Sequence, residues 1–175
     1  MSEPEDLDLE PTDEETLGEL LAFAASNNNL QLTPHFNCLE FLCRCSRHQG
    51  PYVGGVDRSR LPPGGVARCR QTAEWMERVR AALGNEPIHV ASCYRCPPHN
   101  AEIGGALRSI HLIGKAVDFT HRRLSPAAVQ KILVAHWGAG KMVHGLGASR
   151  SYTHADWGDR IARWRYSSSN RPIAW

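Results

Sequence analysis

Ser109-Ile-His111-Leu-Ile-Gly114-Lys-Ala116-Val-Asp118 sets a histidine and a carboxylate seven residues apart around a glycine. The pair reads as two ligands of a zinc site. A third has an obvious source about forty residues on, in Tyr152-Thr-His154-Ala-Asp156-Trp-Gly158, a short aromatic run with the look of a strand. Two imidazole nitrogens and one carboxylate oxygen leave a tetrahedral zinc with one position for water, the composition of a catalytic rather than a structural site. Such a site holds N and O ligands at about 2.0–2.2 Å and lowers the pKa of its water to roughly 7. Gly114 and Ala116 imply a sharp turn after His111 and entry into a strand, Lys115 to Thr120, with Asp118 pointing inward.

Working outward, the coarse pattern is α+β. Trp75, Val79 and Leu83 recur at helical spacing over Arg68 to Leu83, with Gly84 as a stop. Pro87 to Ser92 reads as a strand that delivers Arg95 at its end. Gly104-Gly105 supplies a loop able to approach a ligand closely. Ser125-Pro126 opens a second helix, with a cap residue and a first-turn proline, running to about His136. Lys141 to His144, Tyr152 to Trp157 and Arg163 to Tyr166 read as short strands. The expected architecture is therefore a small antiparallel sheet with flanking helices, the sheet carrying the metal site. Trp75, Trp137 and Trp164 are expected in core or rim packing, and no internal repeat is visible.

Between the second strand signal and the metal pair lies Ser92-Cys-Tyr94-Arg95-Cys-Pro-Pro-His-Asn100-Ala-Glu-Ile-Gly104-Gly105. Its pattern S-x-Y-R, then N, then G-G, then S-x-H-x-x-G-x-A-x-D, followed by Gly145-Leu-Gly147 and by H-x-D-x-G from His154 to Gly158, resembles the zinc D-Ala-D-Ala carboxypeptidase family of peptidoglycan peptidases. That family shares its fold and metal site with the hedgehog signalling domain. The resemblance spans about Pro34 to Tyr166. It implies His111, Asp118 and His154 as zinc ligands, Arg95 as the group that stabilises a substrate carbonyl oxygen or carboxylate, and Ser109 as a substrate contact. A guanidinium suits that role because it is always charged and can grip an oxyanion bidentately.

One position departs from the family pattern. Better-known members often carry Glu or Asp three residues before the last histidine ligand; here Ser151 stands there, and it cannot act as a base at neutral pH. Asp156 is the expected substitute. On a strand, residues two apart share a face, so His154 and Asp156 both face the metal. Asp156 then either passes the water's proton to the leaving amine or orients a ligand from behind. Asp156 as ligand with His154 as base is a rival assignment, and His144 and His99 are further candidates.

The chain has 175 residues, 42% of them hydrophobic and 22% charged, which suits one domain plus a tail. Residues 1–19 hold nine acidic side chains and no Lys or Arg, leaving nine acids against all 20 basic residues in the rest. Residues 1–33 are thus expected to be an acidic, flexible segment, with a short helix over Glu15 to Ala25 and a break at Asn27-Asn-Asn29, and 34–175 to be the zinc peptidase domain. The basic body suits anionic cell-wall polymers; the arginines are too dispersed for a nucleic-acid motif. No apolar run approaches the ~20 residues of a membrane span, and the N-terminus lacks a secretory pattern. Synthesis in the cytoplasm, action at the cell wall or periplasm and a monomeric state are the expectations.

Six cysteines, Cys38, Cys43, Cys45, Cys69, Cys93 and Cys96, permit 15 complete pairings. A structural zinc at Cys43, Cys45, Cys93 and Cys96 is the minority reading, since C-x-C with C-x-x-C is less regular than a paired knuckle; reduced, buried thiols are favoured. The functional expectation is a zinc peptidase cutting an amide bond in peptidoglycan peptides, in the setting of a phage-type endolysin. The alternative is a non-catalytic, zinc-stabilised binding or virion-structural module on the same fold.

Overall fold

The computed structural model describes residues 30–48, 52–53, 56–166 and 172–174. A two-residue hairpin, β1 (Tyr52–Val53) and β2 (Val56–Asp57), precedes helix α1 (Gly65–Ala82). Then follow β3 (Ile88–Ser92), α2 (Pro97–Glu102), a 3-10 turn (Ile110–Ile113), β4 (Ala116–His121) and α3 (Pro126–Leu133). Strands β5 (Gly145–Ala148), β6 (Thr153–Asp156), β7 (Ala162–Tyr166) and β8 (Pro172–Ala174) complete the order. The chain is α+β: β3 to β8 form one six-stranded sheet, β3-β4-β6-β5-β7-β8, antiparallel except where β5 meets β7.

Alternation along the central strands divides the sheet into two faces. Val90, Val117, Phe119, Leu146 and Ala155, all without solvent exposure, belong to the main core. They share it with the apolar stripe of α1, where Val66, Cys69, Ala73, Met76, Val79 and Leu83 recur at three- and four-residue intervals. Two buried polar groups pin α1 in place: Thr72 Oγ1 donates to Gly114 O at 2.7 Å, and Trp75 Nε1 to Met142 O at 2.8 Å. Helix α3 starts as its sequence indicates, with Ser125 Oγ accepting from Ala128 N and Pro126 in the first turn.

The other face carries the chemistry, and the register shows how. Asp118 pairs with His154, His154 with Gly147, and Gly147 with Trp164, in one row across four strands. In the next row Ala116 pairs with Asp156, Asp156 with Gly145, and Gly145 with Ala162. The edge strand β3 joins the first row through Ser92, opposite Asp118, after a register shift between Val90 and Ser92.

Two boundaries differ from the sequence reading. The strand expected at Lys141 to His144 begins instead at Gly145, because Gly145 and Gly147 are the residues that can lie flat against the bulky row-mates just named; of the earlier segment, Val143 makes only an isolated bridge to Trp137. Packing also begins before residue 34: Leu32 is buried, Leu30 lies against the core, and Cys38 N donates to Leu30 O at 2.8 Å. The acidic stretch and the helix expected over Glu15 to Ala25 lie outside the described residues.

Phe119 has no exposed surface and sits where the sheet meets the helices. Phe119→Ala is expected to lower unfolding free energy by about 3–5 kcal/mol in urea titrations. Leu107→Ala, at a residue 95% exposed, should change it by no more than about 0.5 kcal/mol.

Candidate metal centre

The turn after α2 brings His111 to the sheet. Gly114 closes the 3-10 turn with φ 68°, a left-handed conformation, and a Cβ there would come within 2.7 Å of Pro62 Cβ. The chain thereby reverses directly into β4, as the H-x6-D spacing implies, and Asp118 emerges beside His111.

His111 Nδ1 donates to Cys93 O at 2.6 Å, which fixes the tautomer and leaves Nε2 as a lone pair. His154 faces Asp156 Oδ2 through Nε2 at 3.0 Å, so its Nδ1 is the atom turned inward. His111 Nε2, His154 Nδ1 and Asp118 Oδ1 then converge: 3.2 Å between the nitrogens, 2.9 Å from His154 and 3.3 Å from His111 to the carboxylate. The edges of a tetrahedral zinc site with bonds of about 2.0–2.1 Å measure about 3.3 Å. Three electron-rich atoms of buried residues, each held from behind, make a donor set that fits a zinc ion.

Charge in this pocket is arranged against the cost of burial. Burial alone would raise the Asp118 pKa, but the two histidines hold it far below the ordinary carboxylate range. Burial pushes His111 down, toward the neutral form a ligand needs. Without an ion, burial also disfavours charge on His154, yet hydrogen bonds to Asp118 and Asp156 prevail and hold its pKa up at about 9. Arg95 completes the balance: a guanidinium nitrogen donates to Asp118 Oδ2, Nε donates to Ser92 Oγ at 3.0 Å, and its backbone N donates to His111 O at 3.1 Å.

Asp156 is fully engaged. Oδ1 accepts from Gly145 N at 3.1 Å and Gly158 N at 3.0 Å, while Oδ2 faces His154. Gly145 makes room for this carboxylate, since a Cβ there would overlap it. Gly147 does the same for Trp164, whose ring a Cβ would meet at 2.6 Å; the His154 and Trp164 rings lie 4.9 Å apart, centroid to centroid.

A cleft of about 580 Å³ opens over these residues. Arg95 and Ser109 line it, and Ser109 makes no cap hydrogen bond that would occupy its hydroxyl. The Gly104-Gly105 loop forms one wall, as its composition indicates. Arg108, Arg160, Arg163, Tyr152, Trp164 and Tyr166 also line the cleft, and spacing alone singles out none of them for it. Of the further candidate bases, His144 Nδ1 is tied to Gly158 O at 2.5 Å, and His99 Nδ1 lies 3.3 Å from Cys43 Sγ; neither lines the cleft. Ser151 is exposed in the turn before β6, where Ser149 Oγ accepts from its backbone N.

If Gly145 exists to accommodate the Asp156 carboxylate, Gly145→Ala should cost about 1–3 kcal/mol in thermal or urea unfolding. The same substitution should weaken zinc uptake measured by calorimetry, because Asp156 and His154 must shift together.

No curated protein matches the chain. A family model described as Peptidase M15 matches residues 34–156, a span that contains His111, Asp118, His154, Arg95 and the paired glycines. With most of its length inside that match and a buried donor set fit for zinc at its centre, the chain belongs to the Peptidase M15 family of zinc peptidases.

Proposed function

We propose that this cleft hydrolyses an amide bond in peptidoglycan stem or cross-bridge peptides, with His111, Asp118 and His154 holding one zinc ion. The observation that carries the reading is the convergence of three buried ligand atoms beside a guanidinium, under an open, arginine-lined cleft. Zinc held there supplies a Lewis acid and lowers the pKa of water to roughly 7. The chain's own residues do the rest. Arg95, 13% exposed, braces Asp118 and presents positive charge to the cleft, where it stabilises a carbonyl oxygen as it gains charge or anchors a terminal carboxylate. Ser109 offers a hydroxyl to the substrate backbone. Arg108, Arg160 and Arg163 suit the carboxylates of wall peptides.

The bonds of Asp156 support an orienting role for it rather than the proton shuttle expected from its spacing. Its oxygens serve two backbone amides and the far nitrogen of His154, and this fixes which nitrogen of His154 faces the metal. Proton transfer then falls to the Tyr152 hydroxyl in the cleft or to solvent. Burial raises the Tyr166 pKa and keeps its hydroxyl protonated, so it serves as a hydrogen-bond donor to substrate in the cleft and not as a base. The setting proposed is a lytic protein of the endolysin type acting at the cell wall.

One observation favours a second reading, a non-catalytic module stabilised by zinc. Among the described residues lining the cleft, Asp156 is the only carboxylate, and it is already engaged.

Mass spectrometry of purified peptidoglycan incubated with the zinc-loaded protein separates the two. New peptide termini absent with His111→Ala establish the peptidase and identify the bond; an unchanged digest across several wall chemotypes establishes the module. Given cleavage, Arg95→Ala should lower kcat about 10²–10³-fold. Asp156→Asn should weaken zinc about 10–100-fold while adding zinc restores most of the rate, whereas a true proton shuttle would leave affinity intact and the rate unrecoverable.

A further inference from the structure

Outside the cleft lining, the segment that precedes the hairpin meets the start of α2. Cys43, Cys45, His48 and Cys96 each bring a ligand atom into one cluster, all within 4.8 Å of one another. Cys45 Sγ lies 3.7 Å from both Cys43 Sγ and Cys96 Sγ. A tetrahedron of thiolates around zinc, with bonds of about 2.3 Å, has edges of about 3.8 Å. Cys43 and Cys96 are buried, and all six cysteines of the chain are free thiols.

The histidine supplies an independent observation. His48 Nδ1 bonds with Ser59 Oγ at 3.1 Å, which leaves Nε2 for the other side of the ring, and Nε2 is buried without any hydrogen-bond partner. A buried imidazole nitrogen left unpaired costs about 1–3 kcal/mol, so its place beside three sulfurs asks for an explanation, and a metal ion is the simplest. The hydrogen bond at Nδ1 is also the arrangement that orients a metal-bound histidine.

We propose that Cys43, Cys45, His48 and Cys96 bind a second zinc ion, closed and structural, that ties the irregular 43–48 segment to the residue following Arg95. Three thiolates and an imidazole are soft ligands that select zinc over magnesium or calcium, and four protein ligands leave no position for substrate. The pattern is Cys-x-Cys-x2-His with a distant cysteine. Cys93, the fourth residue of the sequence expectation, takes no part: it is buried with Sγ 3.7 Å from Gly114 O, and its carbonyl serves His111. His99 Nδ1, 3.3 Å from Cys43 Sγ, supports that sulfur from outside the ligand set, as does Cys96 N at 3.4 Å.

The site has a mechanical purpose. Residues 43–48 form no helix or strand, and the backbone hydrogen bonds at Cys43, its N donating to Arg60 O and its O accepting from Arg60 Nε, stop at the first ligand. On the other side Cys96 caps α2 with no side-chain bond of its own to the helix. An ion joining the two fixes the chain one residue beyond Arg95, which the cleft requires in a set position. The proposal stands whether or not the cleft cuts peptides.

Zinc per chain is to be counted by plasma mass spectrometry on the full-length protein, purified under reducing conditions without chelator, and on single variants. Two zinc ions are expected in the unaltered protein, one in His111→Ala, and one in Cys45→Ser or Cys96→Ser. His48→Cys should retain both, since it restores a four-ligand set. Cobalt exchanged into His111→Ala should give an intense thiolate-to-cobalt charge-transfer absorption, a readout that does not depend on the cysteine variants folding. A single zinc that disappears in His111→Ala, or a Cys45–Cys96 disulfide found by alkylation and mass mapping of the native protein, overturns the proposal. A single zinc retained in His111→Ala and lost in Cys45→Ser upholds it and instead removes the ion from the cleft.

Discussion

Asp118 carries a negative charge inside the fold, 5% exposed, at the centre of the strand that sits between β3 and β6. Removing a carboxylate from water costs several kcal/mol, and the neighbouring structure offsets that cost. Arg95 must reach it from the end of β3, and the imidazoles of His111 and His154 must approach its other oxygen. Each of those partners brings further obligations: His111 needs the Cys93 carbonyl, His154 needs Asp156, and Asp156 needs the amides of Gly145 and Gly158. That face of the sheet is a chain of such dependences running outward from one anion.

The tetrapeptide Cys93-Tyr94-Arg95-Cys96 shows how few residues organise that chain. The carbonyl of Cys93 sets the tautomer of His111, and Arg95 braces Asp118. Tyr94 N donates to Phe41 O at 3.2 Å, and Cys96 enters the thiol cluster. Alternate side chains and carbonyls of one extended stretch thus serve the metal face, the core and the cysteine cluster at once.

The cluster of His111, Asp118 and His154 was legible because its residues come from two short segments whose spacing reflects local geometry. The turn at Gly114 and the alternation in β6 are both local rules, so His111, Asp118 and His154 could be brought together from sequence and a known pattern. Asp156 shows the limit: alternation places it on the correct face, but which atom it serves depends on Gly145 and Gly158, eleven residues before it and two after. The strand at Gly145 was misread because glycine carries no strand propensity of its own; its place there follows from the size of Asp156 and Trp164 across the ladder. His48 was invisible for a similar reason. Nothing in a lone histidine reports a cysteine 48 residues away, and the sequence pattern pointed to Cys93, whose side chain turns into the core.

Asp118 and His154 are directly opposite each other on neighbouring strands, so their separation is a property of the pleated sheet and not of any loop. The backbone ladder has already brought the carboxylate and the imidazole face to face by the time the chain is folded. While empty the pair is held by attraction: His154, its pKa up at about 9, donates from Nδ1 to Asp118 Oδ1 at 2.9 Å. An arriving cation therefore meets side chains that need not be gathered, and it must displace the proton on His154 Nδ1. Because the sheet supplies this geometry, the loops bearing Gly104 and Arg160 are free to vary in length and charge without moving Asp118 or His154.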